Sequence, residues 1–561
     1  MIFKLEQVVK ELFLKSGFDV DKVVITKSSK EQSCDYQSND IFKLAKLYSR
    51  SPIEIGQKIM ACVDSSLTDI FKNIEFVKPG FLNFTLSDKF INENLETLNE
   101  HLGISKPIKE ELFILDYGGA NVAKPLHVGH MRTLIVGESL KRIIKYMGHK
   151  TISDIHLGDY GLQIGQVIYG LKQENLKIDE ITIEDLNRIY PKVSGLCKED
   201  EHVKDTCALI TKQLQDNNAE YQKYFKKILE VSIADMKKLC EYLNVDFDLW
   251  LGESDAYPYL SAVENLLRKK DLLQKSQGAL VVEVSKETDK KEIPPLLFKK
   301  SNGAYLYAST DLATIYDRVN KYNPNHILYV VDNRQSLHFE QVFRVSESLG
   351  LMDYKNLEFL GYGTVNGKDN KPFKTRSGDA PALASLFEQT KNIFVSKREE
   401  NANMNNQDLN IVVNAILKFA DLVNSREKDY IFDLNKFSDV VGKTGPYILY
   451  TYVRLKKILG ENSQKYVFNE VIYNEYDRDL RMKLLELSTA LNSAFVERKP
   501  SYIADYVYNL CVCANAFYQH NHILTCEDDV KKIEWLNLIG LTAMSIKTLL
   551  SLLVIDVPSK M

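Results

Sequence analysis

The chain has 561 residues, 45% hydrophobic and 26% charged, with 26 glycines and 14 prolines. This length implies roughly three or four units, and the composition excludes a disordered or low-complexity protein. The formal net charge of −4 excludes bulk electrostatic attraction to nucleic acid. That leaves local basic patches such as "KRIIKYMGHK" (141–150), "LLRKKDLLQK" (266–275) and "YVRLKKIL" (452–459), each read first as a solvated helix face.

"MIFKLEQVVKELFLKSG" spaces its apolar residues as a helix does and scatters its charges, unlike a signal peptide, so it is read as the first helix of the folded protein. Residues 1 to about 106 form a first unit, in which "FVKPGFLNFTL" (76–86) alternates as a strand after Pro79-Gly80, and "ISKPIKEE" is a linker. "LFILDY" is then a short apolar run of the kind that fills a parallel strand covered on both faces. A helix with its first turn near His130 follows, and "TISDIHLGD" is a second strand. Strand, loop, helix, strand opens a doubly wound α/β fold, which binds ligands at the carboxyl ends of its strands. Further strands are predicted at "HILYVVD" (326–332) and "LEFLGYG" (357–363).

The catalytic unit is placed at 107–395, with an insertion at about 171–305. That insertion begins with helices and ends in a small antiparallel element turning at Asn302-Gly303. After about residue 395 strand signals almost vanish, and 396–561 reads as an α-helical bundle. No run approaches the roughly 18 uninterrupted apolar residues of a membrane span, so no membrane partner is expected. The eight cysteines are dispersed without a Cys-x-x-Cys, which suggests neither a zinc site nor a disulfide framework and fits a reducing cytoplasm.

"NVAKPLHVGHM" (121–131) lies between the first strand and its helix, where free backbone N–H groups and the helix dipole favour an anion. There His127 and His130 can donate to phosphoryl oxygens, Gly129 lets a flat ligand approach, and Lys124 adds a positive charge. A lone histidine would more often be structural, but His-x-Gly-His after a buried strand points to nucleotide chemistry. No third ligand sits at a zinc spacing, so no metal site is predicted.

"HVGH" is similar to the His-x-Gly-His signature of class I aminoacyl-tRNA synthetases and some nucleotidyltransferases, and "NVAKPLHVGHMRTLIVGESL" resembles arginyl-tRNA synthetases in particular. The resemblance continues through "HLGDYGLQIG", "FDLWLGESD", "YLYASTDLA", "YVVDNRQSLHFEQVF", "NGKDNKPFKTRSG", "GPYILYTYVRL" and the ending "VIDVPSKM", nearly the whole chain. It implies a Rossmann-like catalytic core, an N-terminal additional domain touching tRNA and a C-terminal anticodon-binding domain. The implied activity uses ATP with magnesium to activate L-arginine and transfers it to tRNA(Arg), in a cytoplasmic enzyme expected to be a monomer.

Carried over by motif, the arginine site comprises Asp116, Asn121, Tyr307, Asp311 and Gln335. Asp311 is the expected guanidinium partner, with Tyr307 beside it and Asp116 adding charge; Asn121 and Gln335 suit the α-amino and carboxylate ends. ATP would be held by His127, Gly129, His130, Lys368, Lys374 and Arg376, with His127, His130, Lys124 and Lys374 catalytic. The second class I signature is degenerate here: "PFKTRSG" has Lys374 and Arg376 but a threonine in the second lysine position, and Lys124 is implied as its substitute. "GGAN" also departs from the family's usual Ser and Pro before Asn121. Tyr447, Tyr450 and Arg454 are candidate tRNA contacts, since aromatic and basic side chains stack on unpaired bases.

A small-molecule nucleotidyltransferase would not need the C-terminal helices. A non-catalytic tRNA-binding relative would be expected to lose pocket residues. Among synthetases, a cysteinyl enzyme would show zinc-ligand cysteines near the loop, and a glutamyl enzyme a basic pocket.

Overall fold

Five of the six residues of Leu112–Tyr117 are buried, as an apolar strand sandwiched between helices requires. In the computed structural model, which describes residues 2–28, 34–98, 101–367, 369–371, 383–397, 404–460, 466–469 and 471–561, this strand lies inside a parallel sheet. The sheet order is Leu357–Phe359, His326–Val330, Leu112–Tyr117, Lys150–Asp154. Ile114 faces Ile152 on one side and Ile327 on the other. The chain therefore starts in the middle, adds 150–154 on one flank, and crosses to the other flank for 326–330. The gap between these two directions is the topological switch point, where such sheets bind ligands. Parallel bridges Asp154–Leu249 and Leu157–Gly252 carry the pairing past the second strand.

The helix Val128–Tyr146 is buried at 14 of its 19 positions, so it is covered on nearly every side. It begins two residues before the expected start at His130, because His127 is extended and caps the first turn itself. The insertion supplies helices Ile183–Glu199, Glu201–Gln215 and Ala219–Tyr242. Its antiparallel sheet joins Leu273–Ser276, Ala279–Val282 and Leu296–Lys299. The predicted turn forms at Gly303, with φ +86 and a Lys299–Tyr305 bridge closing it.

Among the described residues past 400, helices and their connections dominate, and the sequence did not announce the short strand Tyr430–Ile431, which pairs in parallel with Val365–Asn366. Asp529–Leu552 is long and apolar enough to cross a membrane by composition, but 72% of its apolar window is buried inside the protein, as in a core helix.

By packing, the chain divides into two units. One comprises 106–450, 491–505 and 548–561 and contains the parallel sheet. The other comprises 1–105, 451–490 and 506–547. In it, four antiparallel strands run in the order Thr26–Lys27, Tyr36–Ser38, Phe81–Leu86, Phe71–Val77. Leu82, Phe84 and Leu86 point inward from the predicted strand. Arg478 there binds Asp35 at 2.7 Å and Asp88 at 2.9 Å.

Candidate active site

The first strand ends at Tyr117, and the chain turns out of the sheet through Gly118 and Gly119, at φ +103 and +51. Val122 N–H then donates to Gly158 O at 3.1 Å and Gly158 N–H to Ala120 O at 2.9 Å, fixing Asn121 beside the end of the second strand. At the helix start the two histidines are used in an interlocked way. Gly129 N–H donates to His127 Nδ1 at 3.1 Å, and His127 N–H donates to His130 Nδ1 at 3.1 Å. Each Nδ1 is an acceptor, so in the neutral rings each proton is on Nε2. The ring centroids are 3.9 Å apart. Burial and the nearby Lys124 charge lower the His127 pKa. Burial, then His127 and Lys124, lower that of His130 to about 3. The pair is thus two neutral Nε2–H donors at a helix N-terminus, suited to phosphoryl oxygens.

These residues line a cleft of about 450 Å³ with Asn121, Gly129, Gln335 and the segments Val330–Asp332 and Gly363–Val365. Its walls are the carboxyl ends of the three strands around the switch point. The Gly363–Val365 wall is held by Arg132, which is fully buried and donates to Gly363 O at 2.6 Å and Lys428 O at 3.0 Å. Asp421 faces its Nε at 3.3 Å, and Tyr430 lies under its guanidinium. Arg132 cannot point into the cleft as a ligand group while it makes these bonds.

A group of carboxylates belongs to the same sheet end. Asp311, on the first turns of the Tyr307–Tyr322 helix, binds His338 Nε2 through Oδ2 at 2.5 Å. Burial opposes the charged form of His338, but its bond to Asp311 outweighs that and raises its pKa. Glu253 starts a short helix after Gly252, and its N–H donates to Leu157 O at 3.0 Å. Burial pushes its pKa up to about 7; His156 pulls it down while Asp159 and Asp311 push it further up. Tyr307 is also within electrostatic reach of Glu253. Asp159 is occupied, accepting from Ser254 N–H at 2.9 Å and Ser254 Oγ at 2.6 Å. Glu253 remains as a carboxylate that a cation could satisfy, whereas Asp311 already has His338 on Oδ2 and offers Oδ1 to a further donor.

Three family profiles match consecutive parts of the chain: "Arginyl tRNA synthetase N terminal domain" over 3–86, "tRNA synthetases class I (R), catalytic domain" over 95–434, and "DALR anticodon binding domain" over 448–561. Among curated relatives, the arginine-tRNA ligase of Alkaliphilus oremlandii is 40% identical over 586 residues, and that of Agathobacter rectalis 38% over 596, each covering 100% of both chains. The chain belongs to the arginyl-tRNA synthetase family. Its fold agrees with solved structures. The Thermus thermophilus arginyl-tRNA synthetase superposes with a TM-score of 0.82 at 22% identity, covering 100% of this chain and 99% of that one. The Plasmodium falciparum enzyme gives 0.81 at 24% identity, covering 99% of each.

In this synthetase the structure brings Asn121, His127, Gly129, His130 and Gln335 to one cleft. Asp311 and the exposed Tyr307 lie on the neighbouring helix start. The expectation that Asp116 adds charge to an arginine pocket needs correction. Asp116 is buried and accepts from Arg318 Nη2 at 2.7 Å, and the same nitrogen reaches Asp154 at 2.8 Å. An internal arginine therefore already takes its charge, which answers the cost of burying an aspartate at a strand end. Lys124 sits 4.7 Å over the Tyr190 ring. Lys368, Lys374 and Arg376 lie outside the described residues.

On the Gly445–Leu459 helix, Tyr450 is exposed and Tyr447 half-buried. Arg454 donates to Asn515 Oδ1 at 3.1 Å and lies 5.7 Å from the Tyr518 ring centroid.

Sequence reasoning missed Glu253 and His338. "LGESD" held the signal, an acidic residue at a helix start after a glycine, but its electrostatic coupling to Asp311, 58 residues later, is not visible in the sequence. His338 falls inside "YVVDNRQSLHFEQVF", but its bond to Asp311, 27 residues earlier, is not visible in that stretch.

Proposed function

We infer that this chain charges tRNA with arginine. The arginine carboxylate attacks the α-phosphorus of ATP, pyrophosphate leaves, and arginyl-adenylate forms. A ribose hydroxyl at the tRNA 3′ end then attacks the adenylate carbonyl, and AMP leaves. No covalent enzyme intermediate is required, so the protein's work is orientation and charge stabilisation. ATP enters with magnesium as a substrate complex; no step here depends on a resident metal.

The observation that carries the reading is the interlocked histidine pair, two neutral Nε2–H donors, together with the half-buried carboxylates Glu253 and Asp311 beyond the neighbouring strand and helix ends. His127 and His130 donate to the phosphates as charge builds, and Lys124, Lys368, Lys374 and Arg376 contribute positive charge to the same step. Glu253 and Asp311 hold the guanidinium, whose planar donors suit two carboxylates; the bond to His338 uses Oδ2 of Asp311 and leaves Oδ1 for it. Tyr307 packs beside them, and Asn121 and Gln335 take the α-amino and carboxylate ends.

Residues 1–106 contact tRNA, 107–395 do the chemistry, and 396–561 read the anticodon region with Tyr447, Tyr450 and Arg454 among the contacts. The protein acts as a cytoplasmic monomer. ATP–pyrophosphate exchange with each amino acid, with and without total tRNA, tests the activity. Exchange is expected with arginine only; exchange with another amino acid, or none in the presence of tRNA, overturns it.

A further inference from the structure

Of the three cysteines in the insertion, none used by the synthetase reaction, Cys197 and Cys207 lie side by side. Cys197 sits in the last turn of the Ile183–Glu199 helix, and Cys207 in the second turn of Glu201–Gln215, with only Asp200 between the helices. Their sulfurs are 3.8 Å apart. Cys197 is half-buried, whereas Cys207 is fully buried. The Cys207 carbonyl accepts from Thr211 Oγ1 at 2.9 Å and packs so closely on the Leu162–Gln173 helix that a Cβ on Gly165 would fall 2.2 Å from it.

We propose that Cys197 and Cys207 form a reversible dithiol modification site, taking hydrogen peroxide or a related two-electron oxidant and closing to a disulfide between the two helices. The accessible thiolate, Cys197, attacks one peroxide oxygen. The S–O bond forms, the O–O bond breaks, and the departing hydroxide takes up a proton as water, leaving Cys197 as a sulfenic acid. The Cys207 sulfur then attacks the Cys197 sulfur. The S–S bond forms, the S–O bond breaks, and hydroxide leaves with the Cys207 proton as a second water. Two thiols lose two electrons and one peroxide gains them.

The asymmetry of the pair sets the order of events. Burial pushes the Cys207 thiol up to about 12, so it is the resolving thiol and not the first one oxidised. Its fixed position beside Cys197 compensates for its weak ionisation by making the second step intramolecular. A disulfide needs its sulfurs about 2 Å apart. Rotation about the two Cα–Cβ bonds can supply the remaining approach, since the two residues already face each other across a one-residue helix junction.

The test uses the full-length protein, reduced, freed of reductant and treated with a small excess of hydrogen peroxide. Free thiols are then alkylated, and tryptic peptides are mapped without reduction. The expected product is a peptide pair cross-linked through Cys197 and Cys207, monomeric on a non-reducing gel and restored to two alkylatable thiols by dithiothreitol. In Cys207→Ala, Cys197 is expected to stop at a dimedone-reactive sulfenic acid. In Cys197→Ser, Cys207 is expected to survive the same treatment unmodified. The proposal is overturned if both residues stay alkylatable while other cysteines oxidise. It is equally overturned if wild-type Cys197 proceeds to sulfinic acid without the cross-link.

Discussion

At the scale of single residues, the chemistry rests on where protons are. His130 accepts a backbone N–H at Nδ1 and has its pKa lowered to about 3 by burial and its charged neighbours. It therefore stays neutral throughout the range in which an enzyme of this kind works. Removing one such donor costs on the order of 3 kcal/mol of barrier, so His130→Ala is expected to slow arginine-dependent ATP–pyrophosphate exchange roughly 100-fold. The circular dichroism spectrum should be unchanged, because the helix retains its other cap bond from His127. No acid limb belonging to His130 should appear in kcat above about pH 4; a limb near 6.5 that vanishes in His130→Ala would contradict its assignment as a neutral donor.

Glu253 behaves in the opposite sense. Burial raises its pKa to about 7, and a guanidinium binds only the ionised carboxylate. Arginine binding should weaken as pH falls below 7, approaching a tenfold loss per unit. In Glu253→Gln the pH dependence should flatten and KM for arginine rise by about two orders of magnitude, the scale of a lost charge-assisted partner. Calorimetric titration of arginine between pH 6 and 8 checks both. At this scale the sequence was readable where a local motif concentrates function, as at 121–131, and unreadable where a partner arrives from far along the chain. Asp116 shows the limit: its type and position suggested a substrate contact, and only Arg318, two hundred residues later, reveals that its charge is already taken.

Among the elements, the parallel strands and the helix after the first one follow from local pattern. Short apolar runs with turn residues at their ends leave few alternatives once a helix follows. Tyr430–Ile431 was invisible because two residues carry no periodicity; that pairing lies beside Arg132, whose bonds join the 363 and 428 backbones.

The contact between the first strand and its helix also depends on a glycine. A Cβ on Gly137 would fall 2.2 Å from Tyr117 Cγ. Tyr117 cannot swing away without losing its bond to Glu138 at 2.9 Å, and Glu138 is itself held by Lys141 and Arg142. Gly137→Ala should therefore cost about 1–3 kcal/mol or more through overpacking, lowering the thermal midpoint by several degrees. It should also slow exchange, since the displaced helix carries His130 and is capped by His127. A melting point equal to that of the parent would contradict this packing account.

Across the molecule, the C-terminal residues pack back onto the unit that holds the parallel sheet. Ser559 binds Asp408, Asn244 binds Asp556, and Arg142 donates to Ser551 O at 2.9 Å. At the centre of these contacts Lys418 is buried and donates to Leu243 O and Val554 O, both at 2.6 Å. Burial lowers its pKa to about 7. Between about 7 and 10.5 the unfolded chain holds a proton that the folded chain lacks, so Lys418 makes the fold more stable as pH rises through that window. Urea midpoints at pH 7.5 and 9.5 should thus increase more in the parent than in Lys418→Met; equal slopes would contradict it. Nothing in the local sequence around Lys418 predicts this, because its partners come from the insertion and from the far end of the chain.

The central claim is that the positive charge of arginine is recognised by the half-buried carboxylates Glu253 and Asp311, while a neutral histidine pair takes the phosphates. Citrulline, which matches arginine in shape but carries no charge, tests it most directly. ATP–pyrophosphate exchange in the presence of tRNA should proceed with arginine and fall below detection with citrulline at the same concentration. Exchange with citrulline at a kcat/KM comparable to that of arginine would contradict the account.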